Sequence, residues 1–230
     1  MGTIADNLSR LVEEIRHTAQ SAGRNPADIR LVAISKTVDP ERIREARAAG
    51  QRLFGENRGQ DLAAKAAALA GLDLEWHFVG HLQTNKVRQV IPLAALVHSL
   101  DRIELAEKIA ARVPPTAPQP VLVQVNMSGE ASKSGVAPAD LPRLLDRIAL
   151  LPEISVRGLM TIGPLTGDDH AVRLAFRRLR EACERERARE RPGSSLTELS
   201  MGMSGDYAIA IREGATILRI GTAIFGTRTG

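Results

Sequence analysis

Short apolar runs alternate with longer amphipathic stretches along almost the whole chain. The runs have the length and composition of buried β-strands, whereas the longer stretches repeat apolar residues at helical spacing. Eight strands are predicted, at Leu31–Ser35, Arg52–Gly55, Glu75–Gly80, Leu96–Ser99, Val121–Asn126, Val156–Thr161, Glu198–Met201 and Ile217–Gly221. The predicted helices are an N-terminal one at about Ile4–Ala22, then Pro40–Ala49, Gly59–Leu69, Arg102–Arg112, Leu141–Leu150, Asp169–Arg189 and Gly205–Glu213.

This alternation is typical of a (β/α)8 TIM barrel, in which eight parallel strands are each followed by a helix. An open, doubly wound sheet is the alternative, but it usually carries a glycine-rich turn after its first strand. The corresponding turn here is Ser35-Lys36-Thr37, so an α/β barrel with an extra N-terminal helix is favoured. The proline-rich segment 114–120, PPTAPQP, leads straight into a strand and is interpreted as a loop within one domain of residues 1–230.

Composition narrows the class of protein. The 230 residues are 43% hydrophobic and 25% charged, as in ordinary soluble globular proteins. The single cysteine, Cys183, excludes a disulfide framework and indicates a reducing compartment. No segment approaches the roughly 18 apolar residues of a membrane span, and the N-terminal pattern is that of neither a signal peptide nor an anchor. We therefore expect a cytoplasmic protein with no membrane partner.

The net charge of +4 raises the question of a nucleic-acid partner. Many arginines fall within residues 173–192, where glutamates alternate with them along a predicted helix. Val172, Phe176, Leu179 and Cys183 form the apolar stripe of that helix, so the arginines are interpreted as its solvated face. A polyanion-binding patch is the alternative, but aromatic residues are only 3% of the chain and base stacking needs them. No nucleic-acid partner is expected.

Polar residues follow the predicted strands at their carboxyl ends, where barrels form their active sites. They are Lys36, Glu56-Asn57, the segment from His81 to Lys86, Asn126, Thr161, the segment from Met201 to Gly205, and Gly221-Thr222. A buried core would not select these residues, so we expect a ligand site at this rim.

Lys36 is the most specific of these candidates. By strand alternation it shares a face with Val32 and Ile34. If that face is the barrel interior, the amine emerges at the top of the core, partly desolvated, where it can attack an aldehyde. A strand-end lysine that extends into solvent is the alternative that the strand pattern alone favours.

The segments after strands 7 and 8 are rich in glycine and hydroxyl residues. They are Ser200–Gly205 and Gly221-Thr222, and phosphate groups usually bind at these loops of a barrel. Glycines let backbone N–H groups approach an anion, although ordinary turns with helix caps would look similar. Arg219 lies in the apolar eighth strand and needs a partner if it is buried. That partner is either a carboxylate such as Glu198 or a ligand acceptor such as a pyridine nitrogen.

Seven segments, in order, resemble the pyridoxal 5'-phosphate (PLP) homeostasis protein family, the one-domain relatives of the bacterial alanine racemases. They are AISK at 33–36, FGEN at 54–57, WHFVGHLQTNK at 76–86, VNMSGEASKSG at 125–135, RGLM at 157–160, LSMGMSGD at 199–206 and RIGTAIFG at 219–226. The resemblance covers nearly the whole chain. It implies a barrel of the alanine racemase N-terminal type (PLP fold type III) with PLP as the cofactor.

The resemblance also implies roles for particular residues. Lys36 would hold PLP as a Schiff base, and Arg219 would face the pyridine nitrogen. The phosphate would be held by Ser200, Gly202, Gly221 and Thr222. The remaining cavity residues would be Asn57, His81, Asn126 and Met160, with Lys133 near the phenolic oxygen of the cofactor.

A cation beside the pyridine nitrogen disfavours protonation of the ring, which makes it a poorer electron sink. The larger racemases use a tyrosine from an additional β domain as a second base, whereas this chain ends shortly after strand 8. Its one tyrosine, Tyr207, begins a predicted helix. A non-catalytic PLP carrier that acts in intracellular PLP homeostasis, as a monomer, is therefore the first hypothesis. The alternatives are a racemase or other fold-type III enzyme, and an interaction module that passes PLP to apo PLP-dependent enzymes through the arginine-rich helix.

Overall fold

The computed structural model describes residues 2–130, 134–164 and 166–226. Within them, eight parallel strands form a closed barrel in chain order, and β1 pairs with β8. The strands are β1 Arg30–Ile34, β2 Leu53–Glu56, β3 Glu75–Phe78, β4 Leu96–Leu100, β5 Gln119–Gln124, β6 Ile154–Met160, β7 Ser194–Ser200 and β8 Ile217–Ile220. The predicted barrel is confirmed, and the open-sheet alternative is wrong.

The helices surround the barrel. They are α1 Ile4–Ser21, α2 Pro40–Ala48, α3 Gly59–Ala68, α4 Val87–Val90, α5 Ile103–Ala110, α6 Leu141–Ile148, α7 Asp169–Arg187, α8 Tyr207–Arg212 and α9 Thr222–Phe225. The short α4 and α9 were not predicted, because four residues are too few to show a helical period. The start of α8 was predicted two residues early. The carboxylate of Asp206 accepts from the Met203 N–H at 2.5 Å and holds the preceding segment in a turn.

The extra N-terminal helix is confirmed, and its sequence explains its position. Thr3 and Asp6 form a capping box at its start. Its buried residues are Ile4, Leu8, Leu11, Ile15 and Ala19, spaced to form one apolar face. That face lies against α8, α9 and α2, and the side-chain amide of Asn7 donates to the Ile224 carbonyl at 3.0 Å. Helix α1 therefore packs on the outside of the barrel, against the helices that precede and follow β8.

Two apolar layers hold the barrel. The larger one lies between the strands and the surrounding helices and includes Phe54, Phe78 and Phe176. The smaller one fills the barrel interior with Val32, Leu96, Leu122, Met160 and Ile217, packed against Ile34. Since Val32 and Ile34 face this interior, the face expected for Lys36 is the interior one.

The apolar stripe of α7 is buried as predicted. Three arginines on α7, Arg173, Arg177 and Arg180, lie within 4 Å of the buried carboxylate of Glu213, which follows α8. These arginines therefore fasten α7 to α8, whereas Arg185 and Arg187 are exposed. In the part of the chain that the structure describes, no helix is both long and apolar enough to cross a membrane.

Candidate functional site

A cavity of about 830 Å³ opens at the carboxyl ends of the strands. It is lined by Ile34, Lys36, Thr37, Val38, Arg42, Asn57, Val79, Gly80, His81, Gln124, Ser134, Ile162, Met203, Ser204, Gly205, Arg219, Gly221, Thr222, Phe225 and Gly226. This size is in the range of ordinary small-molecule sites. The expected ligand site at this rim therefore corresponds to a real concavity.

Lys36 lies in a tight turn at the end of β1. The Ser35 carbonyl accepts from the Val38 N–H at 2.9 Å, and Thr37 has a left-handed backbone with φ of 64°. A positive φ is uncommon for a residue other than glycine. Lys36 is partly buried and lines the cavity, so the turn directs it toward the barrel mouth.

A buried polar network between the turn, β2 and α3 holds the turn in place. Glu56 at the end of β2 accepts from the Ser35 hydroxyl at 2.6 Å and from Lys65 Nζ at 2.7 Å. Lys65, on α3, also donates to the Ser35 carbonyl at 2.6 Å. Glu56 was predicted at the ligand rim, but its side chain is fully buried and bonds to Lys65 of α3. A lysine on the buried face of α3 was the signal that could have identified the pair.

Arg219 is buried inside the barrel and reaches the cavity. One terminal nitrogen donates to the Ser200 hydroxyl at 2.5 Å, and the other donates to the Thr161 carbonyl at 2.9 Å. Glu198, one of its two predicted partners, instead pairs with Arg30 at 2.8 Å near the opposite end of the barrel. Burial lowers the pKa of Arg219 to about 10, while Asp206 opposes this shift. The guanidinium is therefore still charged at neutral pH.

Six of the predicted site residues line the cavity, and four described ones do not. The six are Lys36, Asn57, His81, Arg219, Gly221 and Thr222. The four are Asn126, Met160, Ser200 and Gly202. Lys133 lies outside the described residues.

The four residues lie outside the cavity lining for separate physical reasons. Ser200 is buried below the cavity, where its hydroxyl bonds to Arg219 and His98. Gly202 has φ of 95° and packs against α8, since an added Cβ would lie 2.6 Å from the Ala210 Cβ. Met160 is part of the apolar barrel interior. Asn126 closes its own loop, donating to the Glu130 carbonyl and accepting from Ser128.

Asn57 and His81 approach each other because of Gly80. A Cβ at Gly80 would overlap the backbone of Asn57, so glycine is required where the chain leaves β3. His81 lies at the rim with its Nδ1 3.6 Å from the carboxylate of Asp101. The two residues therefore form one wall of the cavity.

The segments after β7 and β8 meet on the opposite wall. Ser204 and Gly205 lie beside Gly221 and Thr222, and the Ser204 hydroxyl accepts from the Ala223 N–H at 3.4 Å. The second half of the predicted phosphate loop thus reaches the cavity, whereas its first half is buried. Hydroxyl groups and backbone N–H groups at this wall are suited to an anion.

The cavity is basic. Lys36, Arg42 and Arg219 contribute basic side chains, and no aspartate or glutamate occurs among its described lining residues. Arg42, which was not among the predicted site residues, donates to the Phe225 carbonyl and lies 5.8 Å from the Phe225 ring. No motif in its helix distinguished it from a surface arginine. The arrangement favours a ligand with negative charge.

The molecule is thus a (β/α)8 barrel with a basic ligand cavity at its carboxyl rim. Residues 7–229 match the family model for the alanine racemase N-terminal domain. The pyridoxal phosphate homeostasis protein of Pseudomonas aeruginosa is 47% identical over 99% of this chain and 97% of its own length. That of Aquifex aeolicus is 46% identical over 97% of both chains. This chain belongs to the pyridoxal phosphate homeostasis protein family, within the group that shares the alanine racemase N-terminal domain.

Solved structures agree with this placement. PipY of Synechococcus elongatus, solved with PLP bound, superposes with a TM-score of 0.83 at 37% identity, over 97% of this chain and 100% of PipY. Alanine racemase of Corynebacterium glutamicum superposes with a TM-score of 0.73 at 17% identity. This chain matches only 61% of that racemase, and the likeness shows the fold alone. The predicted family is confirmed.

Proposed function

We propose that this protein binds PLP in the rim cavity as a Schiff base of Lys36 and takes part in intracellular PLP homeostasis without amino-acid turnover. The observation that carries the proposal is a lysine in a basic cavity whose described lining contains no carboxylate. PLP carries a phosphate and supplies an aldehyde that a lysine amine captures. The names of the relatives and the PLP bound in PipY support the same ligand.

We assign the phosphate to the wall formed by Ser204, Gly205, Gly221 and Thr222. Phosphate sites in barrels usually lie in the loops after strands 7 and 8, and these residues come from both loops. A Cβ at Gly221 would lie 3.0 Å from the Ile34 carbonyl oxygen, so a larger residue would crowd this wall. Ser200 and Gly202 are left out because their positions are buried. Asn57 and His81 are assigned to the facing wall.

The charge on Arg219 supports the absence of turnover. A buried guanidinium facing the pyridine nitrogen disfavours its protonation, which weakens the ring as an electron sink. Tyr207, the candidate second base, donates to the carboxylate of Glu14 on α1 at 2.6 Å and does not line the cavity. Its pKa is raised to about 12, chiefly by burial, which makes it a weak acid at neutral pH.

The Schiff base is tested by absorbance and by chemical trapping. Purified protein mixed with PLP should absorb at about 420 nm, and borohydride should attach the cofactor to the peptide that contains Lys36. Lys36→Ala should abolish both signals. The matched control is Lys108→Ala, which removes an exposed lysine of α5 and should change neither. An unchanged spectrum in Lys36→Ala would overturn the assignment and direct attention to Lys86 and Lys133.

Turnover is tested by incubating the PLP-loaded protein with L- and D-amino acids in deuterated water. We expect no exchange at Cα above the rate given by free PLP. Exchange at enzyme-like rates would refute the carrier proposal and favour a racemase or another enzyme of fold type III.

Delivery is tested by mixing the loaded protein with an apo PLP-dependent enzyme and following recovery of that enzyme's activity. We propose that the protein acts as a cytoplasmic monomer and docks through the exposed end of α7. Reversing the charges of Arg185 and Arg187 should then slow transfer and leave PLP binding unchanged. Equal transfer rates would show that this end of α7 is only solvated surface. Light scattering, which measures the molar mass in solution, tests whether the protein is a monomer.

A further inference from the structure

A continuous chain of polar side chains crosses the barrel interior. It starts at Glu75, at the beginning of β3, whose side chain is half exposed, and continues through His77 and His98. His77 Nε2 lies 3.1 Å from Glu75 Oε1, and His77 Nδ1 lies 2.8 Å from His98 Nε2. His98 Nδ1 lies 2.9 Å from the Ser200 hydroxyl, which bonds to Arg219 at the cavity. Barrel interiors are usually filled by branched apolar residues, so this series of hydrogen-bonded polar side chains needs an explanation.

When both histidine rings are neutral, the ionised Glu75 fixes the direction of each hydrogen bond from His77 to Ser200. Arginine can only donate, and an ionised carboxylate can only accept. His77 therefore donates through Nε2 to Glu75, which leaves its Nδ1 as an acceptor. His98 donates to that atom through Nε2, and its own Nδ1 then accepts from the Ser200 hydroxyl.

The surroundings agree with two neutral rings. His77 and His98 are fully buried, and burial lowers the pKa of His77 and lowers that of His98 well below the usual value. The hydrogen bond from His77 lowers the pKa of Glu75, which keeps it ionised. Arg30 and Glu198 also act electrostatically on His77, and Arg219 and Arg30 act on His98. The opposite direction would place an unprotonated His77 nitrogen against a carboxylate.

We propose that His98 is a positioning residue for Arg219, acting through Ser200. In the deduced direction the Ser200 oxygen has no proton toward Arg219 and is free to accept from it. Together with the Thr161 carbonyl, this acceptor fixes the plane of the guanidinium at the cavity floor. The inference rests on the proposed function only in that Arg219 is taken to face the ring of PLP.

The directions can be tested without PLP. Nitrogen-15 spectra of the histidine rings should show His77 and His98 as neutral Nε2–H tautomers at pH 7, assigned with His77→Gln and His98→Gln. His17, whose side chain is exposed, supplies a comparison signal from outside the barrel interior. A neutral Nδ1–H tautomer or a protonated ring at either position would overturn the proposal. This outcome is independent of whether the protein binds PLP.

Two variants of His98 separate positioning from packing. The amide introduced by His98→Gln can still donate to His77 and accept from Ser200, whereas the ring introduced by His98→Phe fills the space without either bond. We expect the Kd for PLP to stay within about 3-fold of wild type in His98→Gln and to rise about 10-fold in His98→Phe, with a shifted absorbance maximum. Equal losses in both variants, or wild-type binding in His98→Phe, would overturn the proposal. If wild type itself bound no PLP, the proposed function would fail while the tautomer result stood.

Discussion

The buried Glu56–Lys65 pair behind the Lys36 turn gives the sharpest stability prediction. Lys65→Met keeps most of the unbranched side chain, shortened by one heavy atom, and removes its charge. Glu56 would then keep only the Ser35 hydroxyl as a donor, at 2.6 Å, while its second oxygen already has no hydrogen-bond partner among the described residues. The Ser35 carbonyl would lose one of two donors and keep the Val38 N–H. A buried carboxylate would be left poorly compensated.

The magnitude follows from this burial. Glu56 is fully buried and the Lys65 side chain is 11% exposed, so little water can replace the lost contact. Removing one partner of such a pair costs about 3–5 kcal/mol. For a protein of this size that corresponds to a fall in Tm of about 6–20 °C. In Glu56→Met/Lys65→Met, both charges are absent and the Ser35 hydroxyl can turn to the Gly55 carbonyl, 3.4 Å away. The double variant should therefore be more stable than Lys65→Met.

Urea unfolding of the four proteins in this double-mutant cycle measures the coupling. The control is Arg143→Met, which breaks an exposed pair with Asp140 whose side chains are 80% and 54% exposed. It should change the free energy of unfolding by no more than about 0.5 kcal/mol. A cost below about 1 kcal/mol for Lys65→Met, or additive effects of the two substitutions, would refute the reasoning.

Three further predictions concern the barrel wall, the thiol and acid stability. Gly158→Ala should destabilise the fold by about 3 kcal/mol or more in urea unfolding, because its Cβ would overlap the Glu198 backbone; Gly167→Ala, with open space around it, is the control. The Cys183 thiol, whose pKa burial raises to about 12, should react with a thiol reagent at pH 8 only as fast as the protein opens. Burial lowers the pKa of His98 in the folded protein. As the pH falls, the unfolded chain therefore takes up a proton at this residue before the folded protein does. Stability should fall by up to about 1.4 kcal/mol per pH unit below about 6.5. His98→Gln should lessen this slope relative to wild type in unfolding curves at pH 5.5 and 7.5; equal slopes would contradict the lowered pKa of His98.

The element pattern could be predicted because it depends on local sequence. Runs such as VLV at 121–123 in β5 are apolar on both faces, as is typical of a strand buried between the barrel interior and the surrounding helices. Barrels form their sites at the carboxyl ends of the strands, and this predicts that five residues lie near one another: Lys36, Asn57, His81, Gly221 and Thr222. The distances between them could not be predicted in this way. The boundary of α8 was predicted two residues early, because the side chain of Asp206 accepts from the Met203 N–H and holds the residues before Tyr207 in a turn.

Side-chain depth could not be predicted in the same way. Ser200 and Ser204 are both serines of one glycine-containing loop, yet the first is buried beneath Arg219 and the second lines the cavity. Glu56 and Asn57 are adjacent, and strand alternation sends the first toward α3 and leaves the second at the rim. For Glu56 and Asn57 the alternation of side chains along β2 decides the case, whereas Ser200 ends β7 and Ser204 lies in the loop that follows it.

Periodicity and ordered motifs are properties of the chain, and they were enough to predict the barrel, its family, and Lys36 as the lysine at the mouth of the first strand. The tertiary structure decided which partners the charged residues have. Arg219 bonds to Ser200 and Thr161 and not to Glu198, and His98 of β4 reaches Ser200 of β7 across the barrel interior. Closing the barrel brings strands distant in sequence to within hydrogen-bonding distance, and that closure sets which donor faces which acceptor.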